Sequence, residues 1–187
     1  MPEGDSLGER DRLRLFCAVR LTDSTIERLA SWQQRELASL ERIRVLSRDH
    51  LHITLAFLGS RPASDVDRVV GALREVASTA GRPWLWAQRY RETQRVAMVV
   101  LAEQEPRYAD RLAGQLHLLL EELGVYRREL RSWLPHVTVA RFQRPPRLQP
   151  PLPDLGTFSP SEVALYHSLL RPSGAQYEVL ESIALGG

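Results

Sequence analysis

Two short stretches of this 187-residue chain carry the same polar pair in an apolar setting. Leu51-His52-Ile53-Thr54-Leu55-Ala56-Phe57 has histidine and then threonine two residues later, and Leu134-Pro135-His136-Val137-Thr138-Val139-Ala140-Arg141 repeats the pattern. Side chains of a β-strand alternate between faces, so residues two apart share one. His52 and Thr54 then point one way with Ile53 and Leu55 opposite; His136 and Thr138 point one way, backed by Val137 and Val139. The apolar face can seal onto helices while the polar face looks into a groove. Two such strands bring two imidazoles and two hydroxyls to one cleft. That inventory suits acid–base chemistry on a phosphate: imidazole titrates near neutral pH, and hydroxyls donate to phosphoryl oxygens.

At these residues the chain resembles the two-histidine phosphoesterase superfamily. Within it, Arg14-Leu15-Phe16, the run from His52 to Gly59, Leu134 to Arg141 and the tail Ser168 to Tyr177 are similar to the bacterial and archaeal RNA 2′,3′-cyclic phosphodiesterases, also called 2′-5′ RNA ligases. The two motifs lie 136 − 52 = 84 residues apart, each near the middle of one half. The resemblance implies metal-independent opening of RNA 2′,3′-cyclic phosphate ends to a 2′-phosphate. It gives His52 the role of general acid at the 3′-oxygen and His136 that of general base on water. Thr54, Thr138 and Arg141 then bind the phosphate. Run backwards, the same pair would exchange roles and join a 5′-hydroxyl to the cyclic phosphate in a 2′-5′ linkage without ATP. No cofactor and no metal are implied. The expected partner is RNA with a 2′,3′-cyclic phosphate end or a small cyclic nucleotide, met by a monomer. Two alternatives stay open: a related phosphoesterase acting on another cyclic or 2′-5′ nucleotide, and a non-catalytic RNA- or nucleotide-binding module.

Arg141 follows His136 by five residues, as Phe57 follows His52. An odd offset puts each on the face opposite its histidine in a regular strand, so the strand must end, twist or bulge before it. Phe57 is read as core, with a base-stacking platform as the other candidate role. His50-x-His52 has the look of a metal-ligand pair, but the resemblance gives His52 another role, so a metal is not expected there. His117 lies on a leucine-rich stripe and is read as structural; His167 has no assigned role. Trp32, Trp84, Trp86 and Trp133 read as core or groove rim. Arg127, Arg128, Arg131 and Arg144 are a candidate RNA-facing rim, with solvated surface as the default.

Composition narrows the classes. All 25 basic residues are arginine, which excludes a ligase working through a lysyl–nucleotide intermediate and a lysine-dependent phosphate loop. A net charge of +2 permits RNA binding without demanding it. The single Cys17 excludes an internal disulfide and reads as a buried thiol, in keeping with a reducing, cytoplasmic setting. No apolar run reaches membrane-spanning length, and residues 1–11 are polar and read as a disordered leader before a single domain over 12–187.

The elements that must position the motifs follow from periodicity. Strand is expected over 13–19, 43–46, 51–58, 84–90, 95–102 and 134–142, and helix over 26–40, 64–81 and 108–123. Ser64-x-x-Asp67 has the form of a capping box. The proline-rich stretch 145–153 is a surface loop, and 162–170 with 177–185 makes a closing hairpin around Pro172-Ser173-Gly174. The expected fold is α+β, with two pseudo-symmetric lobes, each an antiparallel sheet with helices outside, facing a shared central cleft.

Overall fold

A computed structural model of the chain describes residues 12–172 and 174–186; residues 1–11, read above as a leader, with Ser173 and Gly187 lie outside the described residues. The elements in order are β1 (Arg12–Arg20), α1 (Asp23–Glu36), β2 (Ile43–Val45), β3 (His52–Pro62), α2 (Val66–Thr79), β4 (Leu85–Glu92), β5 (Val96–Glu103), α3 (Tyr108–Glu122), β6 (His136–Phe142), β7 (Glu162–Arg171) and β8 (Gly174–Ala184). All strands belong to one curled antiparallel sheet in the order β4-β5-β6-β3-β1-β7-β8, with β2 beside β6.

The two expected lobes are the two halves of this sheet. They meet at a single pair, Ile53 with Val137, where β3 lies beside β6. One half is β3-β1-β7-β8; the other is β6 with β5, β4 and β2. The α+β architecture holds, but the halves of the sheet are not the halves of the sequence. The closing hairpin β7–β8 extends the β1 half, and β2 crosses to β6. The helices exchange too. α1 lies in sequence between β1 and β3 yet covers the β6 half, where Trp32 meets the Tyr90 ring at 6.3 Å. α3 lies between β5 and β6 yet bonds to the carbonyl of Leu55 in β3. Apolar periodicity reports that a helix has a face to bury, not which sheet it will bury it on.

Local chemistry sets the ends. Thr22 caps α1, its hydroxyl accepting from the Thr25 N–H at 3.3 Å. The capping box expected at Ser64 is absent, because Ala63–Asp65 forms a 3-10 turn and α2 begins at Val66. Asp65 is instead held by Arg61 and Arg68 at 3.0 and 3.1 Å. The core lies between the helices and the back of the sheet, where Leu29, Trp32, Leu73, Leu112, Leu116 and Val137 have at most 1% exposure. Cys17 is in it, and burial pushes its thiol up to about 12, so it is a packing residue. Residues 143–157 form an irregular strap, pinned where the Trp32 indole donates to the Pro151 carbonyl at 2.7 Å.

Candidate active site

The polar faces of β3 and β6 open into one cavity of about 310 Å³. His52, Thr54, His136, Thr138, Arg141 and Phe57 all line it. The even spacing within each motif puts the first four there. Arg141 and Phe57 need more, and each receives it from a β-bulge. On β3, Cys17 pairs with Ala56 but Ala18 pairs with Thr54, so Leu55 is an extra residue. On β6, Ala97 pairs with Ala140 but Met98 pairs with Thr138, so Val139 is extra. Each bulge falls three residues after the histidine and inverts the alternation that follows. Leu55-Ala56 and Val139-Ala140 are accordingly consecutive buried pairs, and Phe57 and Arg141 return to the groove face.

A bulge disrupts the ladder locally, and in a dry core further donors to its backbone help to hold it. Here each of two covering helices adds one from a side chain. The His117 Nε2–H of α3 donates to the Leu55 carbonyl at 2.7 Å. The Gln33 side-chain amide of α1 donates to the Val139 carbonyl at 2.7 Å. His117 is 7% exposed and Gln33 only 2%. His117 is therefore structural, as its apolar stripe suggests, and its partner is the bulge that shapes the groove.

The histidines sit in distinct surroundings. His136 Nδ1 lies 2.8 Å from the Leu134 carbonyl, which can only accept, so Nδ1 carries the proton and the neutral ring has its lone pair on Nε2. His52 Nε2 shares a hydrogen bond of 3.2 Å with the Thr54 hydroxyl, while its buried Nδ1 has no partner within hydrogen-bonding geometry among the described residues. Aromatic rings wall it in: Phe16 at 5.0 Å, Tyr177 at 5.5 Å and Tyr166 at 5.9 Å between centroids. Burial, with the like charges of His50, His136 and Arg141 adding to it, pushes the His52 pKa from 6.5 down to about 4; the nearby His50 carbonyl opposes this. His52 is thus neutral in the free protein at neutral pH.

The remaining candidates separate cleanly. Phe57 is 49% exposed with the Arg14 guanidinium 4.9 Å above its ring, so the core reading is corrected to a groove wall. His50 also lines the cavity, its Nε2–H donating to the Ala175 carbonyl at 2.7 Å and its Nδ1 bonded to the Ser47 hydroxyl at 2.6 Å. Both ring nitrogens are occupied, which leaves no lone pair for a metal, and no carboxylate or thiol is among the described residues that line the cavity. His167 lies outside it, 3.8 Å from Glu178. Arg128 and Arg131 are ion-paired with Glu121 and Glu129, and none of the four proposed rim arginines lines the groove. Sequence reasoning gave no role to Tyr177 and Phe16, which reach the groove through pairings of β8 and β1 that no local pattern encodes, or to His50, which ends the short 3-10 turn before β3. Next to Ala175, Gly174 has φ 123°, and a side chain there would meet the Arg44 guanidinium of β2.

Paired His-x-Thr strands, each bulged and facing one cavity from the two halves of a curled sheet, have the form of a two-histidine phosphoesterase. Comparison with known proteins agrees. A family described as LigT like Phosphoesterase matches residues 19–83. A Thermus thermophilus protein named RNA 2′,3′-cyclic phosphodiesterase is 32% identical over 184 residues, covering 94% of this chain and 91% of its own. The crystal structure of TT0787 of Thermus thermophilus superposes with a TM-score of 0.80 at 27% identity, over 92% of this chain and 98% of that one. The apo structure of E. coli LigT gives 0.76 at 25% identity, over 95% and 99%. The chain belongs to the LigT-like RNA 2′,3′-cyclic phosphodiesterase family. Among its described residues no helix is long and apolar enough to cross a membrane.

Proposed function

We propose that this chain opens RNA 2′,3′-cyclic phosphate ends to 2′-phosphates, with its two groove histidines as acid and base and without a metal. One observation carries the reading: His52, Thr54, His136, Thr138 and Arg141 converge on a single cavity at the junction of the two sheet halves. The activity by which the relatives are named supports it.

The roles are those the family resemblance implies, and the surroundings of His136 suit its share. His136 Nε2, its lone pair fixed by the Nδ1–H bond to Leu134, takes a proton from water as the water attacks phosphorus. His52 delivers a proton to the departing 3′-oxygen, and the 2′-phosphate remains. Thr54, Thr138 and the Arg141 guanidinium meet the charge that gathers on the phosphoryl oxygens. A 5′-hydroxyl in place of water would open the ring in the same direction: His136 takes its proton, the P–O3′ bond breaks, His52 protonates the 3′-oxygen and a 2′-5′ linkage forms. The exchange of roles expected for ligation belongs instead to cleavage of that linkage back to the cyclic phosphate.

The test uses an RNA oligomer ending in a 2′,3′-cyclic phosphate, its product resolved by thin-layer chromatography. His52→Ala and His136→Ala should each lower turnover by about 10²-fold or more. The double variant should lose far less than the product of the two, because acid and base act in one step. Arg141→Ala should weaken substrate affinity as well as rate. Turnover should survive excess chelator; loss restored by zinc or manganese would reassign the histidines as ligands. Wild-type turnover in either histidine variant would remove that residue from the mechanism. Unchanged turnover with reduced RNA affinity in both would leave a binding module.

A further inference from the structure

Strand pairing carries the groove face beyond the groove. Directly opposed residues of antiparallel strands put their side chains on the same face. From His136 the row runs to Val100 on β5 and Arg89 on β4; from Thr138 it runs through Met98 to Arg91. Trp86, opposite Ala102, shares that face, because the register shift between Ala87 and Arg89 makes Gln88 an extra residue. The other face of β4 belongs to the core, where Leu85 is fully buried and Tyr90 meets Trp32. Trp86 is 38% exposed, and Arg89 and Arg91 are exposed with no ion pair or hydrogen bond among the described residues.

The other half of the sheet treats the equivalent row differently. From His52 it runs to Arg20 and then Glu162, and these two form an ion pair of 2.8 Å that Ser182 joins. One flank of the groove is thus neutralised and lined with aromatic rings. The other presents two uncompensated cations and an indole, two strand spacings or about 10 Å from His136.

A cyclic phosphate ends an RNA at its 3′ side, so the rest of such a substrate lies 5′ of the reacting group. We propose that Trp86, Arg89 and Arg91 on β4 form a track for the single-stranded RNA that precedes the cyclic phosphate, a claim that rests on the RNA phosphodiesterase reading above. The guanidinium groups meet phosphates one or two nucleotides upstream and Trp86 stacks on a base, the pairing of cation and aromatic that single strands use. The protein then prefers an RNA end over a cyclic mononucleotide, which fills the groove but not the track.

Steady-state kinetics on a 2′,3′-cyclic mononucleotide and on a five-nucleotide RNA ending in the same group separate the two claims. In Arg89→Ala/Arg91→Ala, kcat/KM for the pentamer should fall about tenfold, chiefly through KM, and its salt dependence should flatten by about 1.4 in log–log slope, 0.7 per phosphate lost. Trp86→Ala should cost the pentamer about fivefold or more. The mononucleotide should change less than twofold in all variants, and Arg35→Ala on α1 should change neither substrate. Equal losses on both substrates, or no loss on the pentamer, would overturn the track. If wild-type protein opens neither substrate, the phosphodiesterase reading falls. The track is then judged by fluorescence anisotropy with a 3′-phosphorylated pentamer: affinity that drops in the double variant sustains it, and affinity that does not removes it.

Discussion

The proton that the proposed acid delivers is one that His52 does not hold in the free protein. Burial withholds water from its imidazolium, and His50, His136 and Arg141 repel the charge. A phosphate anion in the groove cancels that repulsion and raises the pKa, so binding and protonation of His52 are linked. Binding of a 3′-phosphorylated RNA near pH 6 should therefore take up a proton. Calorimetry in buffers of different ionisation enthalpy reads this directly, and His52→Asn should abolish the uptake; equal uptake in the variant would assign the proton to another group. The same shift gives stability a sign. The folded pKa, about 4, lies below the ordinary 6.5, so the folded state binds fewer protons than the unfolded one between these values. The full contribution is present above pH 6.5 and is lost as pH falls toward 4. Its size is about 3 kcal/mol at 1.36 kcal/mol per pKa unit. Urea titrations from pH 7 to 4 should show that decline in the wild type and a shallower one in His52→Asn.

Two elements, the bulges at Leu55 and Val139, turn a simple alternating pattern into a six-residue site. The alternation of His52 with Thr54 and of His136 with Thr138 is legible in the sequence because it depends only on strand period. That Phe57 and Arg141 join them is not legible, since the extra residue is defined by what lies across from it on β1 and β5. The need for a bulge could still be stated from the odd offset, and the repeated His-to-bulge spacing meets that need twice. The helices hold these bulges through His117 and Gln33, and loss of a buried donor costs about 1–3 kcal/mol. The two sites differ in reserve. The Val139 carbonyl also accepts from the Leu46 N–H at 3.0 Å, whereas beyond the sheet ladder the Leu55 carbonyl has the His117 imidazole. His117→Leu should therefore lower both melting temperature and kcat on cyclic-phosphate RNA more than Gln33→Leu does. His117→Gln, which keeps a donor, should recover kcat to a greater degree than it recovers stability. Recovery of stability alone would show that the bond supports the fold without setting the position of Thr54 and Phe57.

At the scale of the molecule, the two-lobed outline is legible as a rhyme between strand and helix patterns, but membership of the lobes is not. The chain goes from β1 to α1 and β2 on the opposite half, returns for β3 and α2, and crosses again for β4 and β5. It then returns for α3, crosses for β6 and ends in β7 and β8 beside β1. The two sheet halves share only the Ile53–Val137 pair, yet one continuous core holds α1, α2 and α3 together behind both. Such interleaving predicts a single cooperative unfolding unit, in contrast to two independent lobes. The tryptophans make this measurable. Trp32 and Trp86 lie in the β6 half and Trp84 just before β4. In a Trp133→Phe background, which removes the indole that donates to the Thr54 carbonyl of β3, fluorescence therefore follows that half, whereas far-UV circular dichroism follows all elements. Urea curves from the two probes should coincide. Leu73→Ala provides the sharper test, because Leu73 is fully buried on α2, which packs on β7 and β8 of the opposite half. Its loss should cost about 2–5 kcal/mol and shift the fluorescence midpoint as far as the dichroism midpoint. A fluorescence transition that stays in place while the dichroism curve splits would mean that the halves melt separately, and that the groove between them is held by the one strand pair alone.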